Sequence, residues 1–231
     1  MMSAMNDPSK PAQRERRFDL IAFDWDGTLF DSTALIVSCI QGACADLGLP
    51  VPDAERAAYV IGLGLHDALQ HAVPGLPKSR YPELGQRYRH HYVARQHELV
   101  LFEGTLAMLH GLKSRNHFIA VATGKSRKGL DEALQAVQLH GLFDATRTAD
   151  ETAGKPDPRM LHELMRELGV SPERTLMIGD TTHDLQLALN AGAQRVGVSF
   201  GAHDSATFAA LGPLFVAQST ADLAQWLAEH A

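Results

Sequence analysis

The sequence predicts an α/β fold, a doubly wound and mainly parallel sheet carrying an inserted α-helical cap. Three observations carry that expectation. Phe18-Asp19-Leu20-Ile21-Ala22-Phe23 is an apolar, strand-like run that stops at Asp24-Trp25-Asp26-Gly27-Thr28. From Thr105 onward, short apolar runs alternate with helix-period segments, the pattern of βαβ units. Between these two parts, residues 33–100 show helical periodicity without a convincing strand, and all four tyrosines fall there. The expected organisation is a disordered tail over 1–17, a Rossmann-like core from 18–32 and 101–231, and a helical cap over 33–100.

Each element has a local reason. After Thr28, Asp31 or Ser32 is placed to cap a helix running to Leu47, with Leu35, Ile36, Cys39, Ile40, Ala43 and Cys44 on its apolar stripe and Gly48 as its stop. Pro50-Val51-Pro52 breaks the chain, and Asp53 can cap a short helix. Ile61-Gly62-Leu63-Gly64 reads as a flexible loop before a helix from His66 to His71. Ser79 to Leu99 reads as one long helix with Tyr81, Leu84, Tyr88 and Tyr92 near one face. The second half then alternates. Helices are expected over Thr105–Arg115, Ser126–Val137, Pro158–Leu168, Asp184–Asn190 and Ala221–His230. Strands are expected at Phe118–Ala122, Phe143–Ala149, Thr175–Gly179, Arg195–Ser199 and Leu214–Ala217. Right-handed crossovers bring the ends of such strands to one edge.

Composition narrows the function classes. The chain has 231 residues, 45% hydrophobic and 21% charged, enough for one full core and a small second domain. Its net charge of −6 gives no electrostatic case for nucleic acid or an anionic membrane. Cys39 and Cys44 form neither a disulfide framework nor a zinc spacing, so a reducing compartment is expected. Met1 to Arg17 lacks the apolar core of a signal peptide, and no run approaches the ~18 apolar residues of a membrane span. A cytoplasmic protein, monomeric or homodimeric, without nucleic-acid or membrane partners, is the expectation.

Polar groups of distinct kinds stand at four strand ends: Asp24 with Asp26, Thr123-Gly124, Lys155, and Asp180 with Asp184. Four carboxylates at one rim repel each other unless cations join them. Oxygen-only ligands favour a hard ion, and Mg2+ suits a site of a few carboxylates shared with a substrate phosphate. A cation and a lysine facing one carboxylate make a phosphoryl-transfer site. Asp24 can attack phosphorus as a carboxylate, forming an aspartyl-phosphate. Asp26, on the same side of an extended chain, can protonate the leaving oxygen and then activate water. Asp180 and Asp184, four apart at a helix start, can face one ion. Thr123 offers a hydroxyl and Gly124 an unobstructed amide for phosphoryl oxygens.

Asp24-Trp25-Asp26-Gly27-Thr28, Thr123-Gly124, Gly154-Lys155-Pro156-Asp157-Pro158 and Gly179-Asp180-Thr181-Thr182-His183-Asp184 resemble, in order and spacing, the four motifs of the haloacid dehalogenase (HAD) superfamily. The helical stretch between the first two resembles that family's type-1 cap, and Phe30-Asp31-Ser32 points to its phosphoglycolate-phosphatase-like branch. The resemblance implies Asp24 as nucleophile and Asp26 as acid/base. It implies Mg2+ held by the Asp24 carboxylate, the Asp26 carbonyl and Asp180, with Asp184 in support directly or through water. The implied activity is hydrolysis of a small phosphate monoester, with a small phosphorylated metabolite as partner.

Several readings compete residue by residue. Lys125 follows Thr-Gly directly and rivals Lys155, which the Gly-Lys-Pro setting favours. Asp184 can equally be a helix-start residue answering the dipole. Thr123-Gly124 can belong to a helix N-terminus as well as to a phosphate site. Gly62, Leu63 and Gly64 are either a plain turn or a substrate-contacting cap loop. His183, and more weakly His203, are expected near the site, and the tyrosine row reads as packing. Among relatives, a dehalogenase lacks a carboxylate at the position of Asp26. A phosphonoacetaldehyde hydrolase needs a lysine early in the cap, where Lys78 comes late. A β-phosphoglucomutase-like enzyme stays open, although Arg56 is the only basic residue besides histidine in the first half of the cap. A non-catalytic binding protein on the same fold is the alternative from another class, and the full carboxylate set argues against it.

Overall fold

A computed structural model describes residues 16–231. The expected tail lies outside the described residues except for Arg16 and Arg17. Arg16 pairs with Asp19 at 2.5 Å, and its carbonyl accepts from Arg174 Nη2 at 2.8 Å.

The sheet has six parallel strands: β1 Leu20–Phe23, β2 Phe118–Thr123, β3 Ala145–Thr148, β4 Thr175–Gly179, β5 Gln194–Val198 and β6 Val216–Ala217. Their order is β3-β2-β1-β4-β5-β6. The chain winds outward in both directions from β1, so the order reverses between β1 and β4, where such sheets open a crevice at their carboxyl ends. Asp24 follows β1 and Asp180 follows β4, which puts both in that crevice.

Alternation along the strands explains the layers. Ile21 and Phe23 join Leu109, Leu112, Val121 and Ile178 in one buried cluster. Leu20 and Ala22 point to the other face and pack with Met160, Leu161, Leu164 and Met177. Around the sheet lie α5 Thr105–Ser114, α6 Arg127–Ala136, α7 Arg159–Leu168, α8 Thr182–Asn190 and α9 Thr220–His230. Residues 33–98 are helical, as α1 Thr33–Asp46, α2 Ala54–Tyr59, α3 Leu65–Ala72 and α4 Tyr81–Arg95 with short 3-10 turns on either side of α4. They bury a cluster of their own built on Ile40, Ala43, Leu69, Tyr81 and Leu84. No helix among the described residues is long and apolar enough to cross a membrane.

Four expectations are corrected. The helix expected over Ser79–Leu99 is shorter, because Pro82 sits in its first turn and the segments on both sides tighten to 3-10 geometry. The helix expected from Asp184 begins at Thr182, since Thr181 forms a capping box with Asp184. Ser32 holds the N-cap position of α1 without capping it, because its hydroxyl is turned to Asp26. The last strand keeps only two residues, and a 3-10 helix over Ser205–Leu211 precedes it. Asp53 and Gly48 act as expected: Asp53 accepts from Arg56 N, and Gly48 adopts φ +63° after α1.

Candidate active site

Asp24 leaves β1 with its amide donating to Ile178 O at 2.9 Å, so the ladder itself fixes where its side chain emerges. The side chain is fully buried. Oδ1 accepts from Lys155 Nζ at 2.5 Å, while Oδ2 has no hydrogen-bond partner. Lys155 Nζ also lies 2.6 Å from Asp184 Oδ1 as an ion pair. Carboxylate oxygens of Asp24, Asp180 and Asp184 all lie within 4.8 Å of one another, and all three residues are buried. Lys155 is therefore one cation among three carboxylates.

The electrostatics follow from that imbalance. Burial pushes the Asp24 carboxyl well above its ordinary range; Lys155 opposes this, and Asp184 and Asp180 add to it. Burial, followed by the Asp184 charge, raises Asp180 to about 7. Burial alone would pull Lys155 down, but Asp184 and Asp24 more than offset it and hold the ammonium charged. An unpartnered buried oxygen within an oxygen-only, under-neutralised set fits a hard divalent cation such as Mg2+.

Asp180 is held on both carboxylate oxygens. Thr28 Oγ1 donates to Oδ1 at 2.8 Å and the Ala202 amide to Oδ2 at 2.8 Å. A Cβ on Gly27 or Gly201 would overlap this carboxylate, so both glycines are needed for its approach. Asp184 serves two partners. Its Oδ2 accepts from the Thr181 amide at 3.1 Å and hydroxyl at 2.7 Å, closing the capping box, while Oδ1 faces Lys155. Asp184 thus closes the start of α8 and at the same time lies beside Lys155.

Asp26 faces another way. The turn after β1, in which Trp25 O accepts from the amides of Leu29 and Phe30, carries its side chain toward the helical insertion. There Ser32 Oγ donates to Oδ1 at 2.8 Å, and Lys125 Nζ lies 3.2 Å from both oxygens. Lys125 Nζ also donates to Tyr92 Oη at 2.9 Å. The two rival lysines have separate carboxylates: Lys155 serves Asp24 and Asp184, and Lys125 serves Asp26. Tyr92, read from sequence as packing, meets the site through Lys125.

Thr123 ends β2, buried, with Oγ1 accepting from the Lys125 amide at 3.2 Å. Gly124 does permit a close approach, but the neighbours are the carbonyls of Gly62 and Leu63, which a Cβ would strike. The Gly62–Gly64 loop therefore lies on the strand ends. Gly62, at φ +91°, neighbours Thr181, and Gly64 N neighbours Gly154. His183 and His203 are brought together over Tyr59 at the end of α2. Each donates from Nε2 to Tyr59 O, at 2.8 and 2.9 Å. Sequence reasoning missed Thr28, Ser32 and the pairing of Lys125 with Asp26; the first two were visible as hydroxyls flanking Asp26.

Comparison with known proteins gives the same outline. A family model described as haloacid dehalogenase-like hydrolase matches residues 21–198. The probable phosphatase IndB of Dickeya dadantii is 33% identical over 210 residues, which cover 88% of this chain and 91% of that protein. The pyrophosphatase PpaX of Bacillus cereus is 29% identical over 209 residues, covering 90% and 95%. The crystal structure of a predicted phosphoglycolate phosphatase from Haemophilus somnus aligns with a TM-score of 0.80 at 26% identity, covering 90% of this chain and 97% of that one. With the matched span running through both Asp24 and Asp180, the chain belongs to the haloacid dehalogenase-like hydrolase family.

Proposed function

We propose that the chain is a Mg2+-dependent phosphatase that hydrolyses a small phosphate monoester through an aspartyl-phosphate on Asp24. The observation that carries this reading is the buried Asp24 carboxylate, held by Lys155 on one oxygen and left open on the other beside Asp180 and Asp184. Residues 33–100 act as the cap and the remainder from 18 as the core. The two cysteines are free and buried, which suits a reducing cytoplasm.

An Asp24 oxygen attacks phosphorus, the ester P–O bond breaks, and the leaving oxygen takes a proton from Asp26. Ser32 and Lys125 hold the Asp26 carboxylate that results. Water then attacks the phosphorus of the aspartyl-phosphate, gives its proton to Asp26, and releases phosphate with Asp24 restored. Thr123 and Gly124 border the phosphoryl group. Asp24, Asp180 and the Asp26 carbonyl, with Asp184 in support, would hold Mg2+, which would supply positive charge to the transferring phosphoryl oxygens. Lys155 keeps Asp24 oriented and carries a second positive charge to the same place.

A phosphomutase must also hold a second phosphate. Arg56, the lysine or arginine in the first half of the cap, does not line the cavity beside Asp26 and donates from Nε to His71 O at 3.2 Å. The test of the hydrolase reading is phosphate release from p-nitrophenyl phosphate with Mg2+. Asp24→Asn is expected to abolish release while the protein stays folded, and chelation is expected to stop the native enzyme. Normal release by Asp24→Asn would overturn the nucleophile; release in chelator would overturn the metal.

A further inference from the structure

We infer that the ester this site accepts has a leaving alcohol with an apolar, ring-bearing body, larger than the two-carbon acid of phosphoglycolate. The inference rests on the phosphatase reading above and names its substrate class. A cavity of about 620 Å³ opens from Asp26 and Gly124 and runs between the helical insertion and the core. Drug-sized ligands occupy pockets of roughly 300–1,000 Å³, far more than a two-carbon acid fills.

One side of its wall is apolar. Ile36, Ile40, Val60 and Val93 line it, with the rings of Tyr88 and Tyr92 stacked at 6.0 Å and 29°. Burial pushes both phenols above their ordinary range, so the aromatic wall stays neutral. The charges do not favour an anionic leaving group. Lys125 is engaged by Asp26 and by the Tyr92 hydroxyl. The remaining lining charges are Arg89 and Lys128 against Asp67, Glu132 and Asp150. Lys128 stands in solvent and reaches toward Glu132 at 3.8 Å. A substrate carboxylate would meet no buried, unpaired cation among these exposed lining charges, whereas a ring would displace water from the apolar side of the wall.

The test is calorimetric binding to the non-hydrolysing Asp24→Asn variant with Mg2+, comparing 2-phenylethyl phosphate with phosphoglycolate. Because it reads binding, its outcome is separate from turnover of p-nitrophenyl phosphate by the native enzyme, which judges the phosphatase reading. The phenylethyl ester is expected to bind about tenfold tighter or more, from burial of its ring. Equal or weaker binding overturns the inference, as does binding too weak to measure. Val93 is exposed at the cavity wall, so Val93→Asp is expected to fold and to bring the two affinities close to parity. An unchanged ratio in that variant would overturn the location of the ring.

Discussion

Lys125 Nζ lies 3.2 Å from both carboxylate oxygens of Asp26, 99 residues away, and donates to Tyr92 Oη at 2.9 Å. One ammonium thus ties the end of β1, the turn after β2 and helix α4 together at the mouth of the cavity. In the proposed mechanism it faces the carboxylate that remains after Asp26 gives up its proton. Lys125→Met is expected to lower kcat for an alkyl phosphate about 100-fold, the scale of general acid–base catalysis. The loss should be smaller for p-nitrophenyl phosphate, whose phenolate departs with little need of a proton. Steady-state kinetics on both esters checks this. Equal losses on the two would show that Lys125 acts only on cap position.

In the proposed site, Asp180 would couple pH to Mg2+ binding. Burial holds its carboxyl near 7, against an ordinary 3.8, and Asp24 is raised in the same sense. Between those values the native state keeps a proton that the unfolded chain has released. Metal-free stability from these groups is therefore present at low pH and lost as pH rises through 7. In chelator, Asp180→Asn is expected to melt higher than the native sequence, and the difference should grow from about pH 5 to about pH 8. Mg2+ should raise the melting temperature of the native chain at the upper pH and leave that of the variant nearly unchanged. Thermal melts across pH, with and without Mg2+, test both halves. A variant that melts lower in chelator at the upper pH would refute the repulsion.

Much of this site was legible in the sequence, for identifiable reasons. Asp24 and Asp180 stand where apolar strands stop, and a buried carboxylate at a strand end has few uses other than a cleft. The partner of each lysine was not legible. Lys125 and Lys155 both follow strand ends, and only the direction of the turn after Trp25 sends Asp26 to one and Asp24 to the other. Ser32 was hidden by a cap position that it occupies without capping. Tyr59 was hidden more deeply, because it contributes a main-chain carbonyl, which every residue has. The length of α4 was obscured because Tyr81, Leu84, Tyr88 and Tyr92 keep helical spacing while the segments beside them change to 3-10 geometry.

The two imidazoles on Tyr59 O fix the end of α2. The carbonyl accepts only, so both Nε2 atoms carry protons. His203 Nδ1 accepts from the Thr182 amide at 3.1 Å, which makes that ring neutral. The Tyr59 ring stacks on His203 at 5.2 Å and 7°. Because the Gly62–Gly64 loop follows α2 within a few residues, this clamp sets where the loop meets the strand ends. His183→Ala with His203→Ala is expected to cost about 1–3 kcal/mol of stability by leaving a carbonyl unpaired, and to raise KM more than it lowers kcat. His183→Gln, which can keep a donor near the Nε2 position, should recover most of the KM effect of His183→Ala. Kinetics of the three variants, with cleavage near residues 60–65 in limited proteolysis, reads the clamp. Native KM in the double variant would remove its role.

Gly124 tests the same closure from the core side. Its missing Cβ is what lets the carbonyls of Gly62 and Leu63 lie against the turn after β2. A methyl group meeting backbone has no soft neighbour to move, so Gly124→Ala must displace the loop, the turn or both. The overpacking is expected to cost about 1–3 kcal/mol. A shift on the order of 1 Å in groups that border the phosphoryl site is expected to lower kcat/KM about 100-fold. Gly111 is the matched control: it lies in α5 with no atom within 4 Å of an added Cβ. Gly111→Ala is expected to leave activity unchanged and to stabilise the chain by up to about 1 kcal/mol, from helix propensity. Melting temperatures and kcat/KM of the two variants, measured side by side, separate closure from a general effect of filling glycines. If Gly124→Ala keeps native kcat/KM, contact between the loop and this turn is not needed for turnover.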